Sequence, residues 1–182
     1  RNFRQFPPLS STMGPSERDR TTVMSTAAPP VLGHVHLRVS DLERSIAFYR
    51  DVIGLKVTQL YGAQAAFLAS HGYHHHLGLN TWESRGAAPG PQGHPGLFHT
   101  AFLYPDRPSL AAALRRALDA GVELTGAADH GVSEAVYFDD PDGNGVELYR
   151  DRPPEDWPRD REGMLAMGNA PLDVAALLAC AP

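Results

Sequence analysis

The sequence predicts an α+β domain in which two βαβββ units pair their sheets into one open mixed β-barrel, helices outside and a cavity inside. Three observations predict it. A strand–helix–three-strand order occurs twice between about Leu32 and Arg152. Sliding the first unit by 65 positions lays His34 on His99 and Asp41 on Asp106, and a two-residue insertion then lays Gly54 on Gly121. The first strand carries apolar residues on one face and His34, His36 and Arg38 on the other, as a strand does when a helix covers one side and a cavity the other. A half-exposed strand with its histidines in water shows the same alternation.

The elements follow in order. HVHLRV (34–39) is a strand with Val35, Leu37 and Val39 under the helix. Ser40 reads as an N-cap with Glu43 three residues on, a capping box. The helix DLERSIAFYRDVIG presents Leu42, Ile46, Phe48, Tyr49 and Ile53 on one broad face and stops at Gly54. Strands are expected near 56–62, 65–70 and 75–80. The Gly/Pro-rich stretch 81–96 reads as a linker between units spanning 32–80 and 97–150. The second unit offers FHTAFLY (98–104) as strand and LAAALRRALDAG (110–121) as helix. VELT (122–125), EAVYFD (134–139) and NGVELYR (144–150) are its remaining strands, the last two joined by the turn DPDG.

The flanks differ in character. Residues 1–30 read as a disordered leader; 1–23 are polar and Pro/Ser-rich, and Met24 is a plausible natural start. The tail 153–182 is Pro-rich, then weakly helical, with Leu172, Val174, Leu177 and Leu178 on a short apolar face. It is expected to act as a lid, to dock on a partner subunit, or to fray.

Bulk properties bound the function. A net charge of −5, with one lysine (Lys56) among sixteen basic residues, argues against nucleic acid and anionic membrane as partners. No apolar run is long enough to span a bilayer. A single cysteine, Cys180, excludes an internal disulfide and is compatible with a cytoplasmic location.

The repeat nominates His34 and His99 as equivalent cavity-facing side chains. Glu147 stands between Val146 and Leu148, where a lone charge is expensive unless something neutralises it. Two imidazoles and one carboxylate suit a divalent metal, Fe(II) first and Mn(II) next, with open coordination positions. Taken singly, Glu147 is equally an exposed strand carboxylate and His99 a satisfied core histidine.

GHVHLRVSDLERSIAFYRDVIGL (33–55), GLFHTAF (96–102) and YFDDPDGNGVELYRDRP (137–153) resemble the vicinal oxygen chelate superfamily, which includes glyoxalase I, fosfomycin-resistance enzymes, bleomycin-binding proteins and extradiol dioxygenases. The resemblance covers residues 32–153 and implies metal ligation by His34, His99 and Glu147. GYHHHLGLN (72–80) and DHGVSEAVY (129–137) further resemble catechol 2,3-dioxygenase-like members. That implies His75, His130 and Tyr137 as the catalytic set: His75 as acid/base, Tyr137 bonding a catechol oxygen, His130 orienting the substrate. The segment from His130 to Glu147 is two residues shorter than in that pattern, and the linker from His75 to His99 is longer.

Of the three consecutive histidines, strand alternation puts His74 and His76 on one face and His75 on the other, and the resemblance implies that His75 is the inward one, with Leu77 and Leu79. Without the resemblance, a solvated strand explains all three. The implied activity is meta cleavage of a catechol-type aromatic with O2 by a homodimer, with Fe(II), or alternatively Mn(II), Ni(II) or Zn(II). Residues 60–72 and 81–96 are expected to line the substrate pocket. Two alternatives stay open. One is another metal-dependent enzyme of this scaffold, of glyoxalase/isomerase or thiol transferase type; the other is a non-catalytic small-molecule binding protein.

Overall fold

A computed structural model describes residues 28–91 and 93–182; the expected leader lies outside the described residues apart from 28–30. The first unit holds β1 (Val35–Arg38), α1 (Leu42–Ala47), β2 (Lys56–Tyr61), β3 (Ala65–Ala69) and β4 (Leu77–Asn80). The second holds β5 (Thr100–Leu103), α2 (Arg107–Asp119), β6 (Leu124–Asp129), β7 (Ser133–Asp139) and β8 (Gly145–Asp151). The tail adds β9 (Ala170–Pro171) and α3 (Val174–Leu178). The βαβββ order therefore occurs twice, and the sheets do not close on themselves, giving the open α+β architecture that the sequence predicts.

The matched pairs of the repeat have the same physical jobs. Asp41 and Asp106 are both N-caps, accepting from the backbone N–H of Arg44 and of Ser109. The cap therefore falls one residue after Ser40. Ser40 turns its hydroxyl and its backbone N–H to Asp142 instead. Gly54 and Gly121 both follow a helix at positive φ, +95° and +79°, where a side chain would be strained. Beyond Ala47 the first helix widens into a π-helical turn, Phe48–Ile53, and the Leu55 N–H closes it onto the Tyr49 carbonyl at 3.0 Å. The second helix starts at Arg107, earlier than the hydrophobic pattern suggests, because Asp106 and Pro108 supply a cap and a first-turn proline.

The first sheet has the order β1-β4-β3-β2 and the second β5-β8-β7-β6-β9. In each, the first strand runs parallel to the last strand of its unit: Val35 opposite Leu77 in one, Thr100 opposite Val146 in the other. Leu37, Val39, Leu68, Leu77 and Leu79 of the first sheet share one buried core with Val136, Phe138, Val146 and Leu148 of the second and with the helices. His36 and Arg38 are exposed on the opposite face, as the alternation predicts. The His36 ring lies over Gly78, where a Cβ would come within 2.8 Å of it.

A polar junction fixes the two units against each other. The Tyr49 hydroxyl, fully buried, donates to Asp140 at 2.8 Å in the β7–β8 turn. Arg44 and Ser40 reach Asp142 in the same turn. α3 packs on α2, with Leu177 fully buried and its C-terminal carbonyl at Leu178 accepting from Arg115. No helix among the described residues is long and apolar enough to cross a membrane.

Candidate functional site

On the second sheet, Val146 and Leu148 turn into the core, so Glu147 emerges on the other face, where it is 9% exposed. Tyr137 stands directly opposite it on β7 and Ala101 on β5. The Tyr137 hydroxyl lies within hydrogen-bond reach of Glu147 Oε1, at 3.0 Å. His99, just ahead of β5, brings Nε2 to 2.9 Å from Glu147 Oε2. His130, at the β6–β7 turn, brings Nε2 to 2.8 Å from the Tyr137 hydroxyl, and its Nδ1 lies 2.8 Å from the Gly168 carbonyl. Burial, and then the Glu147 charge, push the Tyr137 phenol well above its ordinary range.

On the first sheet, His34 precedes β1, and its ring centroid is 4.5 Å from that of His75. His75 also stacks near Phe67, with centroids 5.1 Å apart. His74 and His75 meet through their Nδ1 atoms at 2.7 Å, so one of the two must carry the proton. Burial, followed by the imidazoles of His34, His74, His36 and His76, pushes the His75 pKa down and favours its neutral form.

Strand parity misplaces this segment. β4 begins only at Leu77, and residues 74–76 form a bend after His71, which has φ +54°. Leu77 and Leu79 point into the core, whereas His75 reaches the face shared with His34. The bend breaks the period of two, so His75 does not share a side with those leucines. Of its neighbours, His76 accepts from the Ser70 N–H through Nδ1, and Tyr73 lies against both His74 and His76.

The predicted residues thus gather in two groups, His99, Glu147, Tyr137 and His130 on one sheet and His34 with His75 on the other. Among the described residues no group of three or more His, Cys, Asp or Glu side chains is placed to hold a metal ion. The chemistry of the second-sheet group still suits a cation. An imidazole nitrogen and a carboxylate oxygen, both good ligands for a divalent ion, stand 2.9 Å apart with the carboxylate largely buried. His99 Nδ1 is buried without a hydrogen-bond partner among the described residues.

A cleft of about 630 Å³ opens between β1 and β5, lined by His34, Ser70, His76, Phe102, Tyr104 and Arg116 among others. Ser70 and His71 of the 60–72 segment border it, and no described residue of 81–96 does. Sequence reasoning gave no role to Gly168 and read Asp140–Gly143 only as the turn joining two strands. The turn's acidic run DDPD is visible in the sequence; nothing local marks Gly168.

Residues 31–148 match the Glyoxalase/Bleomycin resistance protein/Dioxygenase superfamily. The chain is 42% identical over 147 residues to a catechol-2,3-dioxygenase of Bacillus subtilis (strain 168), covering 81% of this chain and 50% of that protein. It is 34% identical over 122 residues to biphenyl-2,3-diol 1,2-dioxygenase 3 of Rhodococcus globerulus, covering 67% of this chain and 64% of that protein. The chain therefore spans between half and two thirds of these relatives' lengths. A solved structure of a glyoxalase/dioxygenase from Nostoc punctiforme superposes with a TM-score of 0.59 at 20% identity, over 72% of this chain and 100% of that one, a likeness of fold.

Proposed function

This chain belongs to the Glyoxalase/Bleomycin resistance protein/Dioxygenase superfamily, and on that premise we propose that it is a non-haem, metal-dependent extradiol dioxygenase that cleaves a catechol-type aromatic with O2. The observation that carries the proposal is the hydrogen-bonded run His130–Tyr137–Glu147–His99 on one sheet face, in a chain similar to two dioxygenases of aromatic diols.

His99 and Glu147 would hold the metal together with His34. Fe(II) suits this donor set best, with Mn(II), Ni(II) or Zn(II) as alternatives. When bound, such an ion would acidify a catechol hydroxyl and bring diol and dioxygen together. The protein's own groups have separate tasks. Tyr137, kept protonated across the physiological range, is a hydrogen-bond donor beside the carboxylate. His75, favoured in its neutral form by burial and by its imidazole neighbours, has the acid/base role. His130 holds Tyr137 in place.

Because His34 and His75 stand on one sheet and His99 and Glu147 on the other, the active form we propose is a cytoplasmic homodimer. In it, the first sheet of one copy faces the second sheet of its partner, so that each site draws on both chains. Exposed Leu60 and Tyr61 in the first unit, Trp82 just after it, and Leu103 and Phe98 in the second are apolar surface that such a contact would cover.

The test combines two inactive chains, His34→Ala and Glu147→Ala, coexpressed with different tags and purified as the mixed dimer. A shared site predicts that the mixed dimer regains bound metal and ring cleavage that neither parent has. A mixed dimer that stays empty places each site within one chain. Metal with isomerase activity and no ring cleavage refutes the dioxygenase.

A further inference from the structure

We propose that the backbone carbonyl of Gly168 is a positioning group of this site: it fixes the Nδ1–H tautomer of His130, so that the ring offers its Nε2 lone pair to the Tyr137 hydroxyl. The inference rests on the function proposed above only in treating Tyr137 as a site residue.

The argument begins with the number of protons available. A carbonyl oxygen only accepts, so the 2.8 Å contact between His130 Nδ1 and the Gly168 oxygen requires hydrogen on Nδ1. A neutral ring then has a lone pair at Nε2, 2.8 Å from the Tyr137 oxygen. The phenol has one proton and two claimants, His130 Nε2 and Glu147 Oε1 at 3.0 Å. The direction of this chain follows from the tautomer. With the lone pair at Nε2, the Tyr137 proton is drawn toward His130, and Glu147 stays open to a cation. The opposite tautomer would donate to Tyr137 and press its proton onto Glu147, tying up the carboxylate.

The segment that supplies this carbonyl is built into the fold. The Gly168 N–H donates back to the His130 carbonyl at 3.0 Å, so residues 130 and 168 hold each other through two bonds. β9 pairs with β6, Ala170 opposite Asp129 and Pro171 opposite Ala128. Ala166 N–H donates to the Pro158 carbonyl at 2.9 Å, and Asp160 caps the turn between them through the N–H groups of Glu162 and Met164. Pro158 lies so close to Gly131 that a Cβ there would come within 2.9 Å of the proline ring, and Gly131 holds φ +78°. The stretch 158–171 is therefore a strap across the His130 turn. Its residues lie beyond the 31–148 region that matches the family model.

The experiment uses the full chain with nitrogen-15 in its histidine rings, His130 being assigned by its loss in His130→Gln. At about pH 8, above the ordinary histidine pKa, wild type is expected to show Nδ1 protonated and Nε2 bare. Two changes perturb the strap. Gly168→Pro removes the N–H that grips His130, at a position where a Cβ meets nothing within 4 Å. Ligation of a synthetic C-terminal peptide can also replace the 168–169 amide by an ester, which weakens the carbonyl as an acceptor. The ester is expected to shift His130 toward the Nε2–H form and to lower kcat about 10-fold with KM within about 2-fold, at nearly unchanged thermal stability. Wild-type His130 protonated at Nε2 would overturn the inference. So would an ester chain whose tautomer is unmoved. The nitrogen signals decide this even if the chain cleaves no diol, so failure here and failure of the dioxygenase reading are separable.

Discussion

Tyr137 stands across the β7–β8 pair from Glu147, with its hydroxyl 3.0 Å from Oε1. The pairing register makes this contact, so it survives changes in the surrounding loops. Tyr137→Phe is expected to keep bound metal near the wild-type level and to lower turnover by about 10–100-fold, the usual effect of losing a group that orients a ligand. Glu147→Gln is expected to empty the site. Metal analysis beside a ring-cleavage assay separates the two, and loss of metal from Tyr137→Phe would show that the phenol does more than orient.

His75 and His74 share a contact but differ in placement. His75 meets His34 and Phe67, whereas His74 is exposed and lies against Tyr73. His75→Ala is expected to lower kcat by about 100-fold or more, the range of a lost general acid or base, while metal content stays near wild type. His74→Ala is expected to change kcat only a few-fold. Should His75→Ala also strip the metal, His75 is a ligand and the assignment of His34 must be revised.

The phenols give a pH prediction with a definite sign. Burial, then Asp140, pushes Tyr49 far above the ordinary range; burial and Glu147 do the same for Tyr137, and burial holds Tyr104 up at about 12. These groups prefer the protonated form when folded. Their contribution is therefore whole below the unfolded phenol pKa of about 10 and is lost as pH climbs toward the folded values. Urea midpoints should hold steady to about pH 10 and then fall, and Tyr137→Phe should flatten that fall. With a single lysine in the chain, amine titration contributes little to the same window.

The sequence made some of this legible and not the rest. The repeat was readable because Asp41 and Asp106 cap, and Gly54 and Gly121 terminate, equivalent helices, and each job restricts residue type at one position. His99 stood out by its match to His34 in the repeat, and Glu147 as a lone charge between Val146 and Leu148. The orientation of His74–His76 was not, since a bend carries no period. The Tyr49–Asp140 junction and the Gly168 strap join residues 91 and 38 positions apart, and neither leaves a local pattern to read. Glu134, buried among Arg107, Arg150 and Arg152, is another long-range assembly of this kind.

Gly78 is tested by the ring above it. Any Cβ at 78 would lie 2.8 Å from the His36 ring, a distance that forces movement. His36 is exposed and packs edgewise against Phe67 and tilted against Trp82, so the ring can swing away but loses both contacts. Gly78→Ala is expected to cost about 1–3 kcal/mol, and the double variant Gly78→Ala with His36→Ala should recover part of it. Equal losses in the single and double variants would show that the strain lies in the backbone of β4 instead.

Tyr49 and Asp140 carry the strongest prediction about stability. Both are buried, and the phenol donates at 2.8 Å to Asp140 Oδ2, which also receives the Asn144 side-chain amide, while Oδ1 is occupied by the N–H groups of Asp142 and Asn144. Tyr49→Phe keeps the ring's contacts with Phe48 and Phe102 and removes one donor from a buried carboxylate. The cost should follow from desolvation, about 1–3 kcal/mol, or a fall in melting temperature of several degrees for a chain of this size. Asp140→Asn keeps an acceptor for the phenol but offers an amide where backbone N–H groups already point, so it should cost at least as much. Because the β7–β8 turn anchors β8, Tyr49→Phe should also loosen Glu147 and weaken metal retention at temperatures where the fold is intact. A variant with a lowered melting temperature but unchanged metal affinity would mean that β8 is held by its strand pairing alone.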